Sequence, residues 1–164
     1  MSGEPMAELN KSGPMQIFVD ADACPVKDEI YRVAHRYGLR VLVVANTYLN
    51  VPAHPMIERM VVAAGPDAAD DWIARNAGAG DVVITADIPL AERALAAGAA
   101  AIAPNGRAFT VDSIGAAIAH RAIMEQIRST GAIAGGPKPF ERADRSRFLQ
   151  TLDEAIGRAM RRAQ

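Results

Sequence analysis

QIFVDADACP, residues Gln16 to Pro25, is the stretch on which the reading of this chain turns. Its apolar run Gln16–Asp20 has the length and composition of a buried strand, and it closes on an acid. Pro25 sits where a helix commonly begins, with Asp22 available as a cap. Val26, Ile30, Val33 and Ala34 then share one helical face as far as Tyr37, and Gly38 follows at the position where helices stop. Leu39–Ala45 is a continuous aliphatic run, which predicts a second buried strand. Strand, helix and strand in that order make the unit from which parallel sheets are built.

Downstream the alternation continues. Asn46–Pro55 reads as a loop, and Met56–Val62 as a third strand that Glu58 and Arg59 interrupt. Gly65–Pro66 marks a turn, and Asp67 can cap a helix running through Trp72 to Ala77, with Gly78 and Gly80 at its end. Asp81–Thr85 is the next strand, Ile88–Ala97 a helix with Pro89 in its first turn, and Ala100–Ala103 a short strand. After Pro104 the pattern changes. Val111–Arg128 is a long helix that offers Ile114, Ala117, Ile118, Ile123 and Ile127 for burial, and Thr130–Pro139 is a Gly/Pro-rich loop. Arg145–Arg162 is a last helix with Phe148, Leu149, Leu152, Ile156 and Met160 at helical spacing. The expected architecture is an α/β three-layer α/β/α sandwich with a mostly parallel sheet, followed by two C-terminal helices. It forms one domain over residues 15–164, behind an aperiodic tail, Met1–Pro14, expected to be disordered.

Composition fits this class and excludes others. Half of the 164 residues are hydrophobic and only 5% aromatic, so Ala, Val, Ile and Leu must fill the core. No apolar stretch reaches the roughly 18 residues that cross a bilayer, and the first fourteen lack the apolar centre of a signal peptide. A single cysteine allows no internal disulfide, and the expected location is the cytoplasm. The net charge of −1 rules out a global basic field for duplex binding, but it hides an uneven distribution. From Gly65 to Asp112 seven acids face three arginines, whereas from Lys138 to Gln164 seven basic residues face four acids.

The acids gather at strand ends. Asp20 and Asp87 close apolar runs, Asp22 follows two residues after Asp20, Asp70 and Asp71 open a helix, and Asp81 precedes the strand that leads to Asp87. In a parallel sheet the carboxyl ends of neighbouring strands lie on one edge, where open α/β folds place ligands. Carboxylates brought together there repel one another, and a hard divalent cation, Mg²⁺ or Mn²⁺, relieves the repulsion. Asp20 and Asp87 are the expected direct ligands, with Asp22, Asp70 or Asp71 acting directly or through water. Asp70 and Asp71 diverge by about 100° on a helix, so one of the two faces the site fully.

Other residues carry weaker signals. Lys27, Asn46, Thr85 and Arg107 lie near the same presumed edge, and Lys138 and Arg142 flank the Gly135–Gly136 loop that could close over it; together they are the candidate substrate contacts. Cys24 precedes a helix start but lacks a partnered histidine, and His35, His54 and His120 lack zinc-type spacing. Trp72 and Phe148 read as core residues.

Five strings in order resemble one family. DADACPVKDEI (Asp20–Ile30), GPDAADDWI (Gly65–Ile73), GDVVITADIPLA (Gly80–Ala91), PNGR (Pro104–Arg107), and GGPKPF with DRSRF (Gly135–Phe148) are similar to the YaiI/YqxD family of small bacterial proteins. The likeness spans Met15 to about Ile156. It implies a PIN-like fold, related to metal-dependent ribonucleases that carry acids at the ends of parallel strands. Carried over by residue, it implies a metal site at Asp20, Asp70 or Asp71, and Asp87. The glutamate that a PIN site usually carries on the helix after the second strand has no counterpart here. The leading expectation is a Mg²⁺- or Mn²⁺-dependent hydrolase of RNA or another phosphodiester, with Asp20, Asp22, Asp70, Asp71 and Asp87 as the reactive set. The alternatives are a non-catalytic PIN-like module that binds RNA, a nucleotide or a protein, and an aspartyl-phosphate phosphatase with Asp20 as nucleophile and Asp22 as acid/base. The phosphatase also requires a lysine that the stretch between Lys27 and Lys138 does not contain.

Overall fold

The aliphatic runs lie side by side as one parallel sheet. β1 (Gln16–Asp20), β2 (Arg40–Ala45), β3 (Ile57–Val61), β4 (Val82–Ile84) and β5 (Ala100–Ile102) stand in the order β3-β2-β1-β4-β5. The structure is a computed structural model that describes residues 15–63, 65, 67–131 and 139–162. The expected tail Met1–Pro14, the glycines 135 and 136, and Lys138 lie outside the described residues.

Alternation along the strands creates two cores, one on each face of the sheet. Ile17, Val19, Val41, Val43, Val82 and Ile84 face α1 (Lys27–Tyr37) and α5 (Arg142–Arg162), which contributes the fully buried Phe148, Leu152 and Ile156. Phe18, Leu42, Val44, Val83 and Ala101 face α2 (Ala68–Asn76), α3 (Ile88–Ala96) and Ile114 of α4 (Val111–Ser129). Register aligns these rows across the sheet: Ile17 pairs with Val41 on one side and Val82 on the other. Trp72 is buried against Phe18, their ring centroids 6.0 Å apart. The arrangement is a three-layer α/β/α sandwich with the two C-terminal helices in place.

Local differences from the sequence reading have identifiable causes. Pro25 does not open α1. Cys24, before it, is held extended (φ −108°, ψ 107°), as residues preceding proline prefer, so a one-turn 3-10 segment at Ala21–Ala23 is separated from a helix that starts at Lys27. Asp22 makes no cap bond to α1, whose cap position is Val26. Asp67 also contributes no side-chain bond to α2. In α4, only Ile114 is buried among the described residues, while Ile118 and Ile123 are exposed. The helix packs chiefly on α3, and Ile118 and Ile123 fall outside that contact and lose the burial the sequence suggested. α5 begins one turn early, at Arg142.

The PNGR string follows β5 at the carboxyl edge of the sheet. It forms a tight turn in which the Gly106 N–H donates to the Ala103 carbonyl, and Ile102 bridges antiparallel to Ala108. Gly106 adopts φ 90° and lies directly under α5, where the Thr151 hydroxyl donates to its carbonyl at 2.6 Å.

Candidate metal and active site

β1 and β4 are the neighbours at which chain order reverses direction, and their carboxyl ends open the crevice that open α/β sheets use for ligands. Asp20 is the last residue of β1. Thr85, just past β4, is almost fully buried, and its hydroxyl bridges both strands: it donates to Asp20 Oδ2 at 2.7 Å and accepts from the Asp87 N–H at 2.9 Å. Asp87 then caps α3, its Oδ1 accepting from the Leu90 N–H at 2.9 Å, with Pro89 pre-set in the first turn.

A third carboxylate arrives on α2. The cap of this helix comes from outside it: Asn46, at the end of β2, accepts from the Ala69 N–H through Oδ1 at 3.2 Å. The side chain seen in the sequence as a turn former or substrate contact thus fixes the first turn of α2 beside the crevice. Asp70, the next residue, comes near enough to Asp87 and Asp20 for their charges to act on its carboxyl group. Asp71 points round the helix and pairs with Arg93 of α3 at 2.7 Å. The structure therefore groups Asp20, Asp70, Asp87 and Thr85, and directs Asp71 to an ion pair.

The electrostatics reflect this crowding. Burial, then repulsion from Asp87, Asp20 and Asp67, then the hydrogen bond with Asp87, lift Asp70 from its ordinary 3.8 to about 6. Burial also raises Asp20, and Asp22 and Asp87 push in the same direction, against a lowering by the Thr85 hydrogen bond. A pH dependence follows. Unfolded, Asp70 loses its proton near 3.8, but folded only near 6, so between these values the folded chain binds more protons and rising pH destabilises it. Above about 6 the penalty is fully present. In thermal melts, Asp70→Asn is therefore expected to gain on the natural protein between about pH 4 and pH 6 and to keep its lead above. A constant gap over that range would contradict this electrostatic account.

The remaining candidates spread out. Asp22 is exposed on the 3-10 turn next to the group. Lys27 donates from Nζ to the Cys24 carbonyl at 3.0 Å. Arg107 is exposed in a separate cleft with Asn105, Pro139, Phe140, Asp144 and Arg147, and Arg142 is exposed at the start of α5. The Cys24 thiol is buried, and burial pushes its pKa up, which suits packing and not nucleophilic attack. Asp81 lies at the opposite edge of the sheet, accepting from the N–H groups of Gln16 and Gly78, each at 2.9 Å. Two arginines escaped the sequence reading. Arg93 holds Asp71, and Arg145 donates to the Pro25 carbonyl at 2.9 Å and pairs with Glu29 at 3.3 Å, tying α5 to the loop behind Asp20. The density of arginine in DRSRF was the one available signal.

The donor set is oxygen only, which suits Mg²⁺ or Mn²⁺ and not zinc. Among the described residues, no three His, Cys, Asp or Glu side chains stand close enough together to hold one ion. Magnesium commonly takes one or two carboxylates and fills its shell with water, so the Asp70–Asp87 contact with Asp20 alongside is compatible with it.

A family model described as "Uncharacterized BCR, YaiI/YqxD family" matches residues 18–158. The chain belongs to the YaiI/YqxD family. Similar chains within it include a UPF0178 protein of Caulobacter sp. (strain K31), 61% identical over 145 residues, which are 88% of this chain and 96% of that one. A UPF0178 protein of Nitrobacter winogradskyi is 58% identical over 147 residues, 90% of this chain and 94% of its own. Another, from Rhodopseudomonas palustris (strain HaA2), is 54% identical over 154 residues, 94% of each chain. No solved structure matches the chain. The YaiI/YqxD model covers all the carboxylates of the crevice, from Asp20 to Asp87, and most of α5. No helix among the described residues is long and apolar enough to cross a membrane.

Proposed function

We propose that this YaiI/YqxD-family protein is a Mg²⁺- or Mn²⁺-dependent hydrolase of RNA phosphodiesters. One observation carries the reading: Asp20, Asp70 and Asp87 come from three different elements to the crevice beside β1 and β4, at an electrostatic cost expressed in the raised Asp20 and Asp70. Carboxylates raised by burial and by one another in a cleft mark a functional-site candidate. A bound divalent cation would supply a Lewis acid for the phosphoryl oxygens and lower the pKa of an attacking water. Asp70 and Asp87 would hold it, and its charge would relieve the repulsion between them. Asp20, fixed by Thr85, would orient water on the other side. Asp22, exposed and adjacent, would accept a proton at the mouth of the site. The basic surplus after Lys138 supports an anionic polymer as substrate.

The test is cleavage of single-stranded RNA by the purified protein in Mn²⁺, stopped by EDTA and restored by excess metal. Absence of cleavage in Mn²⁺ and in Mg²⁺ alike would remove the hydrolase. A second reading is favoured because, although three carboxylates reach the crevice, no three among the described residues stand close enough to hold one ion: a non-catalytic module that binds a cation for stability. It predicts a cation-dependent rise in melting temperature without turnover.

A further inference from the structure

A cleft of about 220 Å³, separate from the carboxylates, opens between the PNGR turn and the first turns of α5. Pro139 and Phe140 give it apolar surface, Arg107 and Arg147 supply guanidinium groups, and Asn105 and Asp144 complete the lining. Two contacts place it on the same edge of the sheet as the acids. Arg147 donates to the Asn105 carbonyl at 3.1 Å, at the end of β5, while Arg145, two residues earlier, donates to the Pro25 carbonyl at 2.9 Å, behind Asp20. β5 is two strands from β1, so their ends lie roughly 10 Å apart at about 4.8 Å per strand. The chain has thus built a wall that is basic and aromatic beside a crevice that is acidic.

The groups in the cleft differ in how far they are committed. Arg147 is engaged with Asp144 and Asn105, and Arg145 stands 5.0 Å over the Phe140 ring. The Arg107 side chain is exposed and makes no ion pair or hydrogen bond among the described residues, although its backbone N–H is held by Asn105. An exposed guanidinium beside a half-buried ring and a proline is the chemistry that takes an unstacked base together with its phosphate. Neither a duplex, whose bases stay stacked, nor an inorganic anion would use the apolar part.

We propose that this cleft is a nucleotide subsite for single-stranded RNA, holding an unpaired base against Phe140 and Pro139 with its phosphate on Arg107. The subsite rests on the hydrolase reading for its purpose, but not for its test. The probe is a fluorescein-labelled single-stranded RNA hexamer, titrated by anisotropy into the full chain carrying Asp87→Asn. Arg107→Gln and Phe140→Ala are each expected to weaken binding about ten-fold, and a duplex of the same sequence to bind far less well than the single strand. Phe140 also packs against the core, so if Phe140→Ala lowers the melting temperature, Arg107→Gln and a Phe140→Tyr variant that retains affinity decide the matter. Unchanged affinity in Arg107→Gln, equal binding of the duplex, or no binding of the hexamer would overturn the subsite. Hexamer binding that depends on Arg107 in a protein that cleaves nothing in Mn²⁺ would leave the subsite standing and the hydrolase refuted. Cleavage with an unaltered KM in Arg107→Gln would do the reverse.

Discussion

Asp87→Asn is expected to lose about a thousand-fold in RNA cleavage while remaining folded. The amide keeps an oxygen to accept from the Leu90 N–H, and asparagine caps helices about as well as aspartate, so α3 has no reason to fray. The charge is what disappears, and with it half of the Asp70–Asp87 pair that would hold the ion. Asp20→Asn should fall as far, because it sets an uncharged group opposite the Thr85 hydroxyl. Asp71→Asn gives the contrast. Its carboxylate serves Arg93 on the exposed side of α2 and α3, and an exposed ion pair contributes little to stability, so cleavage should stay within a few-fold of the natural rate. Initial rates on one single-stranded substrate in Mn²⁺, with circular dichroism to certify the fold, separate these cases. Full activity in Asp87→Asn would sink the site assignment.

Gly106→Ala is expected to destabilise the protein by about 3 kcal/mol, roughly 1–2 from a left-handed backbone and 1–3 from overpacking. At φ 90° a side chain is strained whatever the space around it, and here there is none. An added Cβ would sit 2.6 Å from the carbonyl carbon and Cγ of Arg147 and from the Phe148 nitrogen. Two of these atoms are the backbone of α5, which can yield only by moving as a rod and dragging Phe148 from the core. A domain of this size has about 5–15 kcal/mol in hand, so the loss would show as a large fall in the denaturant midpoint. Gly115, within α4 and with nothing within 4 Å of its would-be Cβ, is the control: Gly115→Ala should gain up to about 1 kcal/mol. Equal effects at the two glycines would discredit the close approach of α5.

Much of this was legible beforehand because aliphatic runs and their punctuation are local signals. Gln16–Asp20, the turn at Gly38 and the strand before Thr85 could each be read within ten residues. Element order then fixed the layers, and the placement of acids at strand ends suggested a shared mouth. What stayed hidden depends on contacts distant in sequence. Asn46 caps a helix 23 residues later, a service that no capping pattern announces. The exposed isoleucines of α4 satisfy helical periodicity, and only the position of α3 reveals that no element among the described residues covers them. The division between Asp70 and Asp71 follows from the orientation of one short helix, which adjacency in sequence leaves open.

α5 is the last of the described elements but seals the aliphatic face shared by β1, β2 and β4, through Phe148, Leu152 and Ile156. The first strand is thus buried by residues about 130 positions away, and Arg145 reaches back across 120 positions to the Pro25 carbonyl. Contacts of such long range carry a high loop-closure cost, so covering this face is expected to be a slow step of folding, readable as late protection of the β1 amides in pulsed hydrogen exchange.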